Sequence, residues 1–421
     1  METGRFIKLQ RIKQGMTQGG LAEGIVSMSY LSKIENQKTK PSSEVISLLC
    51  TRLGVQRDDD KEITIKEKCQ AWFDLLFEKN EKQVIIEKYE ELESLLDHIL
   101  SDDLTLFEIH RVRYYLVLGE LDKALEQINT LKEVSNTFDS LQQFYWYKFK
   151  GNYNTSNGDF SQAMHMYKLA EEKLNQLILD DAYVADLRYT IAVTHSKLRN
   201  TLESVEYAKK ALETFQLEYN FFRCAQCHIL LGISYRRISS YDNSIKNYNI
   251  ALHLAKLDNN RQLMQLTNQN LGILHSTKGE SKEAIKSFLS IVEDEEVYIG
   301  ERLAAVASLV AEYYNLYDVD KAKVNIEKGY KFIKEFKNFE ECRMYYYIIK
   351  SYDYEIRDEH EKFEEFIIQE FIPFLKKHKD YASLVRYARM LGNHYEKLHI
   401  YKEATRYFKL SNDAYEQLTI L

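Results

Sequence analysis

The chain reads as all-α, and three observations carry that reading. Only two prolines, Pro41 and Pro373, occur in 421 residues, and a chain that so rarely gives up a backbone N–H is helical nearly throughout. Phe6, Leu9 and Ile12 open the sequence at helical spacing. From about residue 105 the sequence repeats itself at a period close to forty, the mark of stacked helical units. The predicted plan is a small helical module over residues 1–57, a link over 58–70, and a long array of helix pairs over 71–421.

The N-terminal module resolves into four short helices. The first carries Phe6, Leu9 and Ile12 and closes at Gly15. Thr17 is placed to cap the second, TQGGLAEGI, whose inward face is Leu21, Ala22 and Ile25. Gly19 and Gly20 sit inside that short helix, where each costs about 1 kcal/mol relative to alanine. Ser27 or Ser29 starts the third helix, with Leu31 and Ile34 inward and Ser29, Tyr30, Ser32 and Lys33 outward. Lys40-Pro41-Ser42-Ser43 is a break and a new cap, and Val45, Leu48, Leu49 and Leu53 form the inner face of the fourth.

Charge separates this module from the rest. Residues 1–57 hold nine Lys and Arg against four Asp and Glu, a net +5, which leaves −12 for the remainder of a chain whose total is −7. A basic head on an acidic body suits a head that meets a polyanion. Asp58-Asp59-Asp60-Lys61-Glu62 follows as a polar link. Trp72, Phe73, Leu75, Leu76 and Phe77 then form an apolar helical cluster, and a helix over 82–99 carries Val84, Ile85, Tyr89, Leu92, Leu95 and Leu96.

The repeat shows in aligned anchors: Gly151, Gly158, Ala163, Tyr167; Ala192, Arg199, Ser204, Ala208; Gly232, Ser239, Ser244, Tyr248; Gly272, Gly279, Ala284, Phe288. Weaker copies surround Gly119–Ala124, Tyr313–Ala322 and Gly392–Phe408, and residues 340–385 fit no register, with Pro373 expected to kink or start a helix. Small residues let the paired helices approach, and aromatics are expected to fill the angle between one pair and the next. Such pairs stack into a right-handed superhelix whose first helices line a concave face. Helical register puts Arg113, Asn152, Thr155, His195, Arg236, Gln269, Asn270 and Asn393 there. Amides can donate to and accept from a peptide backbone, and arginines suit a carboxylate.

The head resembles the phage-repressor-type helix-turn-helix module through Thr17-Gln18, Leu21-Ala22, Ser29, Leu31, Ser32-Lys33-Ile34-Glu35-Asn36 and Lys40-Pro41. The resemblance implies DNA contacts from Thr17, Gln18, Ser27, Ser29, Tyr30, Lys33, Asn36, Lys38 and Lys40, with Glu35 serving structure. Gly19-Gly20 departs from the family pattern, which carries helix formers there. The body resembles the tetratricopeptide repeat, with a period nearer forty than thirty-four. The whole chain resembles the peptide-pheromone quorum-sensing regulators of Gram-positive bacteria. That resemblance implies a short re-imported peptide on the concave face, a homodimer or homotetramer, and a switch on DNA. It also implies a second role in the peptide-free state, binding a sporulation phosphorelay protein through residues 61 to about 150. A phage-type peptide-controlled regulator, or an adaptor that inhibits a phosphorelay protein without binding DNA, would share the same parts.

Other chemistries find little support. Cys224-x-x-Cys227, followed by His228, lies inside a continuous helical pattern with no second pair near it, and reads as helix packing. His195, His228 and His275 read as core or groove polars. No phosphate-binding glycine loop, metal-spaced cluster or nucleophile elbow appears. The expectation is therefore not an enzyme, with no catalytic residue, metal or cofactor. With no apolar leader and no stretch of ~20 apolar residues, a cytoplasmic location is expected.

Overall fold

Twenty-three α-helices, with one 3-10 turn and one π turn, account for nearly all of the described residues in a computed structural model, which describes residues 3–56, 59–77, 82–97, 99, 101 and 103–419. The head is α1 (Thr3–Lys13), α2 (Gln18–Ala22), α3 (Met28–Glu35) and α4 (Ser43–Leu53). Each start after the first is set by a side-chain cap: Thr17 Oγ1 accepts from Gly20 N, Ser27 Oγ from Tyr30 N and Ser42 Oγ from Val45 N. Ser27, not Ser29, therefore starts the third helix. The head's core holds Phe6, Ile7, Leu9, Leu21, Leu31, Ile34, Leu49 and Leu53, whereas Leu48 is exposed and Cys50 takes the inward position expected of it.

The body begins with α5 (Asp59–Leu75) and α6 (Lys82–Leu96). Residues 59–70, expected as part of the link, are thus the first turns of a helix. Its last turns bring Trp72 among the rings of Phe73, Tyr89, Phe107 and Tyr114, with centroids 5.2–5.9 Å away. Helix pairs follow: α7 (Leu104–Leu118) with α8 (Leu121–Lys132), α9 (Ser140–Ser156) with α10 (Phe160–Leu174), then α11 (Asp181–Lys197) and α12 (Thr201–Leu217). The series continues with α13 (Phe221–Arg237) and α14 (Tyr241–Leu257), α15 (Arg261–Thr277) and α16 (Ser281–Val292), and α17 (Ile299–Asn315) and α18 (Val319–Ile333). After α19 (Phe339–Ile356) comes α20 (His360–Phe366), which runs through a π turn at Ile367–Phe371 into α21 (Ile372–Lys377); α22 (Tyr381–Lys397) and α23 (Tyr401–Thr419) close the array. The protein divides into two compact units, Met1–Thr194 and His195–Leu421. Among the described residues the β-type pairing is one isolated bridge, Gln56 with Ile99.

The repeat has a simple steric basis. In four pairs a glycine on the first helix faces an aromatic ring sixteen residues later on the second: Gly151 and Tyr167, Gly232 and Tyr248, Gly272 and Phe288, Gly392 and Phe408. A Cβ at any of these glycines would overlap the ring. The aromatics therefore lie on their own pair's glycine, not in the angle between pairs. The last copy, weak in sequence, has the same geometry as the others. Gly119 plays a different part, ending α7 at φ 86. The turn inside successive pairs carries a left-handed residue at Gly158, Arg199, Ser239, Gly279, Tyr317, Asp358 and His399, so the anchors Gly158, Arg199, Ser239 and Gly279 are helix stops. Pro373 enters at the first turn of α21, directly after the π turn that re-sets the hydrogen-bond ladder.

Gly272→Ala should lower stability by about 1–3 kcal/mol through overpacking against Phe288. Gly20→Ala, whose added Cβ meets only Thr17 Oγ1 at 3.4 Å, should be neutral or stabilising by up to ~1 kcal/mol. Urea unfolding of both variants checks the pair, and equal effects would contradict the assignment. A second expectation concerns His110, stacked on Phe73 at 3.7 Å with Nδ1 2.8 Å from Leu106 O. Burial pushes this imidazole down to about 3. The unfolded chain then binds a proton near pH 6.5 that the folded chain refuses, so stability falls as pH drops from about 6.5 towards 3, by at most ~1.4 kcal/mol per unit. Urea midpoints of wild type and His110→Leu between pH 7 and 5 should diverge in slope, the variant being the flatter.

Candidate functional site

The outer face of α3 is held in place by one buried carboxylate. Glu35, fully buried at the end of α3, receives Arg11 Nε at 2.6 Å and Arg11 Nη2 at 3.0 Å, a two-pronged pairing, while Gln18 Nε2 donates to it at 2.7 Å. Arg11 Nη1 also donates to Met16 O at 2.8 Å. One group thus ties α1, the start of α2 and the end of α3 together. Arg52 completes the frame by donating to Leu21 O at 3.1 Å and to Glu23 O.

What α3 then shows outward is Ser29 and Lys33, exposed, and Tyr30, half-buried; Lys38 and Lys40 are exposed beyond its end. Thr17 and Ser27 are exposed caps whose oxygens accept backbone N–H groups, leaving each O–H able to donate. Gln18 is positioned by Glu35, and the Asn36 amide donates to Ser32 O at 2.8 Å. The sequence reading missed Arg11 and Arg52, because their partners lie on other helices.

It also missed how the head is seated. Helix α1 lies against the first repeats through polar contacts. Arg5, 2% exposed, donates to Gln142 and lies 3.9 Å from Asp139. Lys8 Nζ donates to Glu133 O at 2.8 Å, and Gln10 Nε2 to Leu96 O at 3.3 Å. Lys13 pairs with Asp97 at 3.1 Å and with buried Glu108 at 2.9 Å. The net +5 of residues 1–57 is therefore not all available to a polyanion: Arg5, Arg11, Lys13 and Arg52 are engaged inside the protein, and Arg57 lies outside the described residues.

The residues placed on the repeat face separate into two groups. Asn152 accepts from Tyr167 Oη at 2.9 Å, Thr155 lies 3.1 Å from the same hydroxyl and 3.3 Å from Thr194 Oγ1, and the buried Asn270 amide donates to Leu266 O at 2.8 Å. Asn152 and Thr155 thus meet the hydroxyl of their own repeat's aromatic, with Asn152 Nδ2 left buried and without a hydrogen-bond partner among the described residues, while Asn270 bonds the preceding turn of its own helix. Arg113 lies 5.8 Å from the Phe77 ring, and His195 stacks on Tyr207 at 5.6 Å. Asn393 is exposed. Arg236 has Arg199 and Arg237 for neighbours, neither foreseen. Burial, with Arg199 and Arg236 beside it, holds Arg237 down to about 10. Asp380 also acts on Arg199, and Arg237 Nη1 donates to Ser196 Oγ at 3.0 Å, so these cations are already partly met within the protein. Gln269 borders a cavity of about 550 Å³ between α15, α17 and α19.

A family model described as helix-turn-helix matches residues 7–59. The chain is 33% identical over 397 residues to the transcriptional activator NprA of Geobacillus stearothermophilus, a match spanning 93% of this chain and 98% of that one. The chain belongs to the family of the transcriptional activator NprA. It is 30% identical over 205 residues to response regulator aspartate phosphatase A of Bacillus subtilis (strain 168), covering 47% of this chain and 54% of that one. The fold matches NprR in complex with its cognate peptide NprX at a TM-score of 0.62 and 22% identity, over 85% of this chain and 99% of that one. One expectation is corrected. A relative named as an aspartate phosphatase overturns the reading of the chain as not an enzyme.

Among the described residues no helix is long and apolar enough to cross a membrane, and no group of three or more His, Cys, Asp and Glu side chains could hold a metal ion. Cys224 and Cys227 are buried in α13.

Glu35→Ala leaves the Arg11 guanidinium, whose side chain is 12% exposed, without its partner, and should cost the head about 3–5 kcal/mol. Limited proteolysis should then release residues before α5 while the repeats survive. Lys33→Ala should leave the digestion pattern unchanged.

Proposed function

We propose that this family member is a peptide-responsive transcription regulator that reads DNA with α3. The observation that carries the reading is the presentation of Ser29, Tyr30 and Lys33 by a helix whose ends are fixed, one by the Ser27 cap and the other by Glu35. Such a helix enters a major groove with its side chains pre-positioned. Lys38 and Lys40, past its end, suit phosphates rather than bases, and Thr17, Ser27 and Asn36 can add hydrogen bonds to the backbone. A protein that reads DNA in a bacterial cell works in the cytoplasm.

The regulating ligand is a short peptide, a reading supported by the complex of NprR with its cognate peptide NprX. Arg236, beside Arg199 and Arg237, is the proposed carboxylate anchor; Gln269 and Asn393 remain available for backbone contacts. Two chains acting together would reach two half-sites. A response-regulator protein is a second partner, supported by the relation to response regulator aspartate phosphatase A.

The test is DNA selection on full-length protein at fixed salt, followed by affinity measurement with and without a pool of short peptides. Lys33→Ala should weaken selected sites by about 1–3 kcal/mol and relax preference at one position. Lys38→Ala should lower the salt slope by about 1 with no change in preference. Recovery of no preferred site, or wild-type affinity in Lys33→Ala, would set the reading aside.

A further inference from the structure

Among the described residues of the head, two large apolar side chains stand exposed, Met28 at 60% and Leu48 at 47%. Leu48 lies on α4. Met28 is the first residue of α3, directly after the capping Ser27 and directly before exposed Ser29. A single exposed apolar residue is ordinary on a protein surface, so the place of Met28 is what matters. A recognition helix enters the major groove with its N-terminal residues against the base edges, and Met28 heads that end.

Nothing inside the head asks for a methionine there. The start of α3 is secured by Ser27 Oγ, which accepts from Tyr30 N at 3.2 Å, so Met28 takes no part in the cap. Leu31 and Ile34, 0% and 1% exposed, close the core beneath α3 while most of Met28 stays in water. The first turn of α3 also holds no acidic residue, whereas that of α4 holds Glu44. A carboxylate would stabilise the helix start through its dipole, yet it would repel phosphates. The turn is therefore composed for a polyanion, with an apolar side chain at its head.

The chemistry of that side chain narrows what it can recognise. A thioether donates no hydrogen bond and accepts only weakly, so it cannot read the donors and acceptors of base edges. It offers a flexible, polarisable apolar surface. Among the bases only thymine presents an apolar group in the major groove, its C5 methyl.

We propose that Met28 is a specificity-determining residue that covers the methyl group of a thymine in the operator. This assignment rests on the DNA reading above and deepens it, by giving one operator base to one side chain. Ser29 and Lys33 serve hydrogen bonds to neighbouring base edges, and Met28 removes the methyl from water. Loss of that contact should weaken binding roughly fourfold, the worth of one carbon group taken out of water.

The experiment uses full-length protein and the duplex it recovers from random DNA at fixed salt. Synthetic copies of that duplex replace one thymine at a time by deoxyuridine, which removes the methyl and keeps every hydrogen-bonding group. One thymine in each half-site should stand out. Its replacement should weaken wild type roughly fourfold and leave Met28→Ala, which already lacks the contact, unchanged. Selection with Met28→Gln should return adenine at that position, because a glutamine amide pairs with adenine N6 and N7. Thermal melts establish that both variants fold. Equal losses for wild type and Met28→Ala at every thymine, or thymine returned by Met28→Gln, overturn the methyl contact while the DNA reading stands. Recovery of no preferred duplex by wild type overturns both.

Discussion

An aromatic ring lying on bare helix backbone is the contact from which the repeated part of the molecule is built. In four of the pairs the helices close where the first offers no Cβ and a flat ring fills the space that closure leaves, whereas in α11–α12 buried Ala192 and Ala208 take the equivalent places. Gly151, Gly232, Gly272 and Gly392 supply the bare backbone, and Tyr167, Tyr248, Phe288 and Phe408 the rings. The turn inside a pair carries a left-handed residue with or without that contact, even where it is Arg199, Tyr317 or His399. A non-glycine in that conformation costs about 1 kcal/mol or more, which the packed pair on either side offsets.

The head works by a different rule. Its core is small, and its reading surface depends on one carboxylate removed from water. Burying Glu35 is tolerable because Arg11 meets it with two hydrogen bonds and Gln18 with a third. The geometry of α3 is thereby tied to residues on α1 and α2, so the orientation of Tyr30 and Lys33 does not rest on the short helix alone.

Features generated locally were legible in the sequence. The cap at Thr17 could be read, and those of the next two helices narrowed to Ser27 or Ser29 and to Ser42-Ser43, because a capping oxygen and the N–H it accepts lie three residues apart. The helix pairs could be read because glycine and aromatic recur in step. Residues 339–377 could not, since the π turn at Ile367–Phe371 shifts the register on which the pattern depends. Arg5 and Lys13 count towards the basic balance of residues 1–57, yet their partners, Gln142 and Glu108, lie about a hundred residues away and take them out of it. Asn152 and Thr155 have the helical phase of groove residues, yet the hydroxyl of Tyr167 draws both into the packing. The cavity at Glu301 and Glu341 is assembled from three helices, and no single stretch of sequence announces it.

The seating of α1 carries a consequence for the DNA. The helix that forms one wall of the head also fastens the head to the first repeats, through Arg5, Lys8, Gln10 and Lys13. In the paired assembly proposed above, each α3 would be carried on the first repeats of its own chain, through the contacts of α1. One added base pair moves a half-site by about 3.4 Å and turns it by about a tenth of a helical turn. A swinging head would follow such a displacement; a fastened one would not. Operators for this protein are therefore expected to be strict in the distance between their halves, even where individual bases vary.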